Sequence, residues 1–155
     1  MAIPADKKDR TIAAEIVIDA PRALVWEILV DFARYREWNP FTVEVDTDHV
    51  IGNPVGLTVR LYGRERKLTE RFDAYDPPRR VGWGMHLAGG RLLRGTRFQE
   101  LEAISEERTL YRTHERFEGP LAPLVMKLNG PEVLRGFEAN AAALKARAEE
   151  LALKS

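Results

Sequence analysis

The chain has 155 residues, no cysteine, and 24 basic against 24 acidic side chains, so its formal charge is zero. That length suits one domain with a sizeable core, and the charge balance gives no global reason to seek nucleic acid or an acidic membrane surface. The missing cysteine removes disulfides, thiol catalysis and thiolate metal sites together.

Residues 1–10 are polar and read as a flexible arm ahead of a single domain over 11–155. They lack the apolar core of a secretory signal. From Thr11 onward Ile12, Ala14, Ile16 and Ile18 alternate with polar positions, which predicts a half-buried strand. Pro21 suits the first position of a helix, where its missing N–H costs nothing. Leu24, Val25, Ile28, Leu29 and Phe32 then recur at helical spacing. Residues 34–37 add a further turn, and Asn39-Pro40 ends it, because the residue before proline is pushed out of the helical region.

Six more strands follow. Phe41, Val43 and Val45 mark the second, and Val55, Leu57, Val59 and Leu61 the third. Leu68, Glu70, Phe72 and Ala74 share a face of the fourth, and Val81, Trp83, Met85 and Leu87 a face of the fifth. Gly52-Asn53-Pro54, Tyr62-Gly63, Asp76-Pro77-Pro78 and Gly89-Gly90 punctuate them as turns. A sixth strand over 91–103 has no single phase. Leu92 and Phe98 imply one inner face, Leu93 and Leu101 the other, and a bulge would reconcile them. The seventh, over 109–117, puts Tyr111, Thr113, Glu115 and Phe117 on one face.

Helical spacing returns after Gly119-Pro120, first in a short piece with Leu121, Leu124, Val125 and Leu128. Gly130-Pro131 is expected to kink or break it. From there to about residue 151, Leu134, Phe137, Ala141, Leu144, Ala148 and Leu151 make a narrow apolar stripe. No apolar run approaches the roughly 20 residues of a membrane-spanning helix. Integral membrane association is therefore not expected, and a cytoplasmic location is.

These elements predict an α+β fold: a curved antiparallel sheet of seven strands covered by one long C-terminal helix, with two short helices between strands 1 and 2. A twisted sheet wrapped around a single helix does not fill all the space beneath it, so an internal cavity is expected. The helix start Ala20-Pro21-Arg22-Ala23-Leu24-Val25-Trp26-Glu27, the corner Tyr35-Arg36-Glu37-Trp38-Asn39-Pro40-Phe41 and the alanine-rich helix from Gly136 carry a resemblance. Over residues 11–152 the chain resembles the START-like superfamily, also called the SRPBCC or Bet v 1-like helix-grip fold, in its polyketide cyclase/dehydrase-like branch. The resemblance implies a deep hydrophobic cavity between sheet and helix. Its known members include lipid-transfer proteins, hormone receptors, coenzyme Q-binding proteins and polyketide cyclases, so it leaves the function open.

Trp83, Met85, Tyr111 and Phe117 are the expected cavity lining, with Trp38 and Phe41 at the entrance and Leu124, Val125 and Met126 in a lid. Thr113, Glu115 and Asn39 are the polar groups expected to orient a ligand. Glu115, and Glu70 on the fourth strand, would be desolvated carboxyls able to move protons; their plainer reading is an ion pair with an arginine. His86 and His114 alternate with inward positions and should face out. No metal-ligand spacing, glycine-rich phosphate loop or nucleophile elbow is present, so no metal or other cofactor is expected. Arg79, Arg80, Arg91, Arg94 and Arg97 read as solvated strand edges. The aromatics do not interleave with basic residues as single-strand binders require, so nucleic acid is not an expected partner.

The first functional expectation is binding of a hydrophobic or amphipathic small molecule such as a lipid, polyketide or quinone, with a homodimer left open. The alternatives are a cyclase or dehydratase using Glu115 as general acid or base, and a protein-interaction module presenting Trp26, Tyr62 or His86.

Overall fold

The computed structural model describes residues 10–155; all of the expected arm except Arg10 lies outside them. Strand β1 (Thr11–Ile18) leads into helix α1 (Arg22–Val30), a 3-10 turn (Phe32–Arg34) and the short helix α2 (Tyr35–Trp38). Strands β2 (Thr42–Asp46), β3 (Pro54–Leu61), β4 (Arg64–Asp76), β5 (Arg80–Leu87), β6 (Leu93–Ser105) and β7 (Arg108–Glu118) follow, and helix α3 (Ala122–Leu153) ends the chain. The seven strands form one antiparallel sheet in the order β1-β7-β6-β5-β4-β3-β2. The chain thus runs as a meander from β2 to β7, and β1 closes on β7. This is the α+β helix-grip arrangement expected from the pattern.

Local chemistry explains the first corner. Pro21 stands one position before the first helical residue, not on it, and its carbonyl accepts the Val25 N–H at 3.1 Å. The apolar stripe of α1 buries Val25, Ile28 and Leu29, and Trp26 is buried too, its ring 5.8 Å from that of Tyr75. The Tyr35 hydroxyl donates to the Leu29 carbonyl, tying α2 back to α1. Asn39 then turns the chain: its Oδ1 accepts the N–H groups of Phe41 and Thr42, at 3.0 and 2.9 Å.

The sixth strand corrects an expectation. Its pairing with β5 is continuous from Arg80↔Glu100 to Leu87↔Leu93, so no bulge is needed there. Leu93, Gly95, Arg97, Gln99 and Leu101 are the buried, inner positions. Leu92 precedes the strand. Phe98 packs on the outer face, with the Arg80 guanidinium 4.7 Å from its ring centroid and His114 5.6 Å away. A partly covered outer-face aromatic had imitated a core position. His86 and His114 lie on the outer face as expected, beside Asp73 at 3.5 Å and Glu100 at 2.7 Å.

The C-terminal helix corrects another. Residues 122–153 form one continuous helix of 32 residues, with Pro131 inside it, rather than two pieces. At a 1.5 Å rise per residue it is about 48 Å long. Pro131 removes one N–H from the ladder, and Gly130 eases the usual clash before proline because it has no Cβ. The second half of α3 packs down on β1 and β7, with α1 beside it, through Phe137, Asn140, Ala141, Leu144 and Ala148. The first half stands off the sheet.

Candidate functional site

The space under the first half of α3 is a cavity of about 330 Å³. Its sheet side is built by alternation: Leu57 and Val59 on β3, Leu68 and Glu70 on β4, Trp83 and Met85 on β5, Arg97 on β6, and Glu115 and Phe117 on β7. The helix contributes Val125, Val133 and Phe137. Period-2 patterning thus aims every second side chain of five strands into one volume.

Two glycines shape it. At Gly136 a Cβ would lie 2.2 Å from the Phe41 ring, so only glycine lets that ring lie against the helix, where it meets Phe137 edge-on at 5.7 Å. At Gly95, opposite Phe117 in register, a Cβ would lie 2.8 Å from Glu115 Oε2 and 2.9 Å from the Phe117 ring. The bare backbone at 95 is the space that the Glu115 carboxyl leans over. At the mouth, the β3–β4 tip is fastened to α3. The Tyr62 N–H donates to the Glu132 carboxylate at 2.6 Å, and its hydroxyl donates to the Leu128 carbonyl at 3.0 Å.

Glu70 and Glu115 both line the cavity and are partly buried. Desolvation pushes Glu115 up to about 7, while the nearby Arg97 charge holds it down. Desolvation, then repulsion from Glu115, pushes Glu70 up to about 8. Two carboxyls sharing a cavity titrate as a pair, and near neutral pH this pair holds at least one proton it can give.

Arg97 is 4% exposed. Its Nε donates to Thr113 Oγ1 at 2.9 Å and its Nη1 to Thr42 Oγ1 at 3.3 Å. The guanidinium carbon sits 4.5 Å from the Phe137 centroid and 5.4 Å from that of Phe41. Arg97 and Glu115 face each other in register, yet the guanidinium turns toward the two hydroxyls and pairs with no described carboxylate.

Phe41, Glu70, Trp83, Met85, Glu115 and Phe117, all expected near a ligand, come together in the cavity wall. Thr113 is wholly buried beneath it and holds Arg97. Tyr111 is buried deeper, where α3 has closed on the sheet: its hydroxyl donates to Gln99 Oε1 at 2.6 Å and accepts from Asn140 Nδ2 at 2.7 Å. Trp38 is not at the entrance, and Asn39 does not line the cavity. Trp38 packs edge-on against Tyr35 at 5.2 Å, near Leu24, Arg147 and Leu151, because the short helices lie against the far end of α3. Asn39 spends its side chain on the turn. Leu124 is 54% exposed, and its neighbour Val125 faces the cavity; successive residues on a helix point about 100° apart.

Arg97 is the residue that sequence reasoning placed wrongly, among solvated edges, because the phase of β6 was open. Thr42, between the apolar positions Phe41 and Val43, is 1% exposed and lines the cavity, next to a bulge between Thr42 and Glu44. Arg66 reaches the mouth. The exposed patch imagined from Trp26, Tyr62 and His86 does not form. Trp26 is buried, Tyr62 is at the cavity mouth, and His86 is on the outer face. Among the described residues no group of three or more metal-ligating side chains is arranged around a common point. No described helix is long and apolar enough to cross a membrane.

The model of a family described as polyketide cyclase / dehydrase and lipid transport matches residues 9–149. Comparison with curated proteins finds no match. Among solved structures, the Zhui aromatase/cyclase of Streptomyces sp. R1128 is 22% identical with a TM-score of 0.73, over 90% of this chain and 93% of that one. A START superfamily protein of Mycobacterium smegmatis is 20% identical with a TM-score of 0.66, over 91% and 98%. A point mutant of Thalictrum flavum norcoclaurine synthase, in complex with a transition-state analogue, is 16% identical with a TM-score of 0.65, over 94% and 96%. At these identities the likeness is one of fold.

Proposed function

The chain belongs to the polyketide cyclase / dehydrase and lipid transport family, and from that premise we propose that it binds an apolar or amphipathic small molecule, a lipid, polyketide or quinone, in the cavity beneath α3. The observation that carries this reading is the cavity itself: about 330 Å³, walled by aromatic and aliphatic side chains with a few convergent polar groups. Burying about 200 Å² of ligand apolar surface contributes about 5 kcal/mol before the cost of association.

Native mass spectrometry of the purified protein, before and after incubation with a panel of fatty acids, polycyclic aromatic acids and quinones, tests it. The expected result is a retained or added small molecule, lost in Val125→Trp, which plugs the space from the helix side. A folded wild-type protein that retains nothing and takes up no member of the panel would sink the reading.

One observation favours a second reading, an enzyme of the cyclase or dehydratase kind. Glu70 and Glu115 share the cavity, and with values pushed up to about 8 and about 7 one can hold a proton near neutrality while the other releases its own. Aldol cyclisation and dehydration need one group that donates a proton and one that accepts it, each near the working pH. On this reading Glu115→Gln lowers kcat on a true substrate by about 100-fold or more and removes one limb of the pH–rate profile. Unchanged turnover would exclude Glu115 as the acid or base.

A further inference from the structure

We infer that Arg97 is the anion subsite of this cavity, and that the ligand carries a carboxylate or another singly charged oxygen on its apolar body. The inference rests on the small-molecule reading above and specifies the chemistry of the ligand's polar end.

A guanidinium cannot shed its charge, and it carries five N–H donors. Arg97 satisfies two of its nitrogens with Thr113 and Thr42, while Nη2 has no partner and is shut away from solvent. Leaving a buried charge unpaired is among the costliest arrangements a fold can hold. Two carboxyls line the same cavity, yet the cation is paired with neither. Glu115 lies directly opposite it in register, but the guanidinium is turned toward two hydroxyls and the faces of Phe137 and Phe41. Hydroxyls and aromatic faces orient a cation without neutralising it. The result is a fixed fork in the cavity wall whose charge no described carboxylate neutralises and whose Nη2 has no partner.

An anionic oxygen answers that need better than a neutral carbonyl, because a hydrogen bond between two charged groups is the stronger. One free edge suits a single negative charge. A phosphate would bring more charge than this edge can match, next to Glu70 and Glu115. At about pH 6, below the values of about 7 and about 8 to which burial pushes Glu115 and Glu70, those two carboxyls hold their protons and so leave the cation to the ligand. Among the described residues, the Tyr35 and Tyr111 phenols also lie near Arg97, and burial keeps them protonated; Arg66 lines the same cavity at its mouth.

The test is isothermal titration calorimetry of the full chain at about pH 6 with 2-naphthoate and 2-naphthamide, which share an apolar body and differ in the charge of the head. Wild type is expected to bind 2-naphthoate at least about tenfold more tightly than 2-naphthamide, the size of one charge-assisted hydrogen bond. In Arg97→Met that preference collapses. Equal affinity for the two probes in wild type, or a preference that survives in Arg97→Met, overturns the anion subsite and leaves the cavity-binding reading standing. A wild-type protein that takes up neither probe overturns the anion subsite, and the ligand panel above then decides the cavity reading. Should Arg97→Met fail to fold, Arg97→Lys decides: it keeps the charge but loses the fork. It is expected to lower 2-naphthoate affinity several-fold, and an unchanged affinity overturns the assignment.

Discussion

Glu115 and Glu70 bind their protons more tightly in the folded chain than in the unfolded one, and that difference has a sign. An unfolded glutamate loses its proton near 4.5; the folded pair does so near about 7 and about 8. Between those values the native state holds more protons, so stability falls as pH rises. The contribution is fully present below 4.5 and is lost as pH passes through the folded values. Glu115→Gln is neutral throughout. It should match wild type near about pH 5 and exceed it by about 1–2 kcal/mol near about pH 8, as thermal melts across that range would show. A variant that melts below wild type at the upper pH would mean that the Glu115 carboxylate, once formed, is held by Arg97. Arg97 itself shows how far single residues can be read. Its charge and type were plain, but its side of the sheet depended on a phase that neither Leu92 nor Phe98 could reveal.

At the scale of elements, α3 shows why general propensities need the neighbours. Glycine to alanine in a helix interior ordinarily gains about 1 kcal/mol. At Gly136 the new Cβ would lie 2.2 Å from the Phe41 ring, against the cavity wall. Gly136→Ala should therefore destabilise by about 1–3 kcal/mol, measured by urea unfolding, and a gain in stability would show that Phe41 is free to move. The strands were legible because each buries one face, so alternation in β3, β4, β5 and β7 marks both the element and its inner side chains. That is how Glu70, Trp83, Glu115 and Phe117 were found. Of the kink or break expected at Gly130-Pro131, the break does not occur, for the opposite reason. A proline removes one hydrogen bond and crowds one turn, and a helix of 32 residues held by its packed second half tolerates that loss. Trp38 and Leu124 were misplaced because helical spacing tells which residues share a face, not what that face meets.

The whole molecule decides where its empty space lies. A 48 Å helix, by its rise of about 1.5 Å per residue, spans a curved sheet that it touches closely along one half. Small residues such as Ala141 and Ala148 let that half descend. Under the other half Phe137, Phe41 and Trp83 bound a volume that protein atoms do not fill. A ligand that fills it binds only the folded state, so it should raise apparent stability by mass action, by about 2.7 kcal/mol at a free concentration 100-fold above Kd. Thermal melts with increasing 2-naphthoate measure this. A melting point independent of ligand, at concentrations that calorimetry shows to be saturating, would place the binding outside the folded cavity.

Sequence alone determined the element order, the antiparallel meander and the long covering helix, because burial of one face writes a period of two or of three to four residues into the chain. It also determined the chemical inventory: no thiol, and two carboxyls on inward faces. Only the tertiary structure decided which polar residues share the cavity. That outcome depends on the register of β6 against β5, the bulge next to Thr42, and the half of α3 that stands clear of the sheet. Each is settled by contacts between segments far apart in the chain, and no local pattern records them.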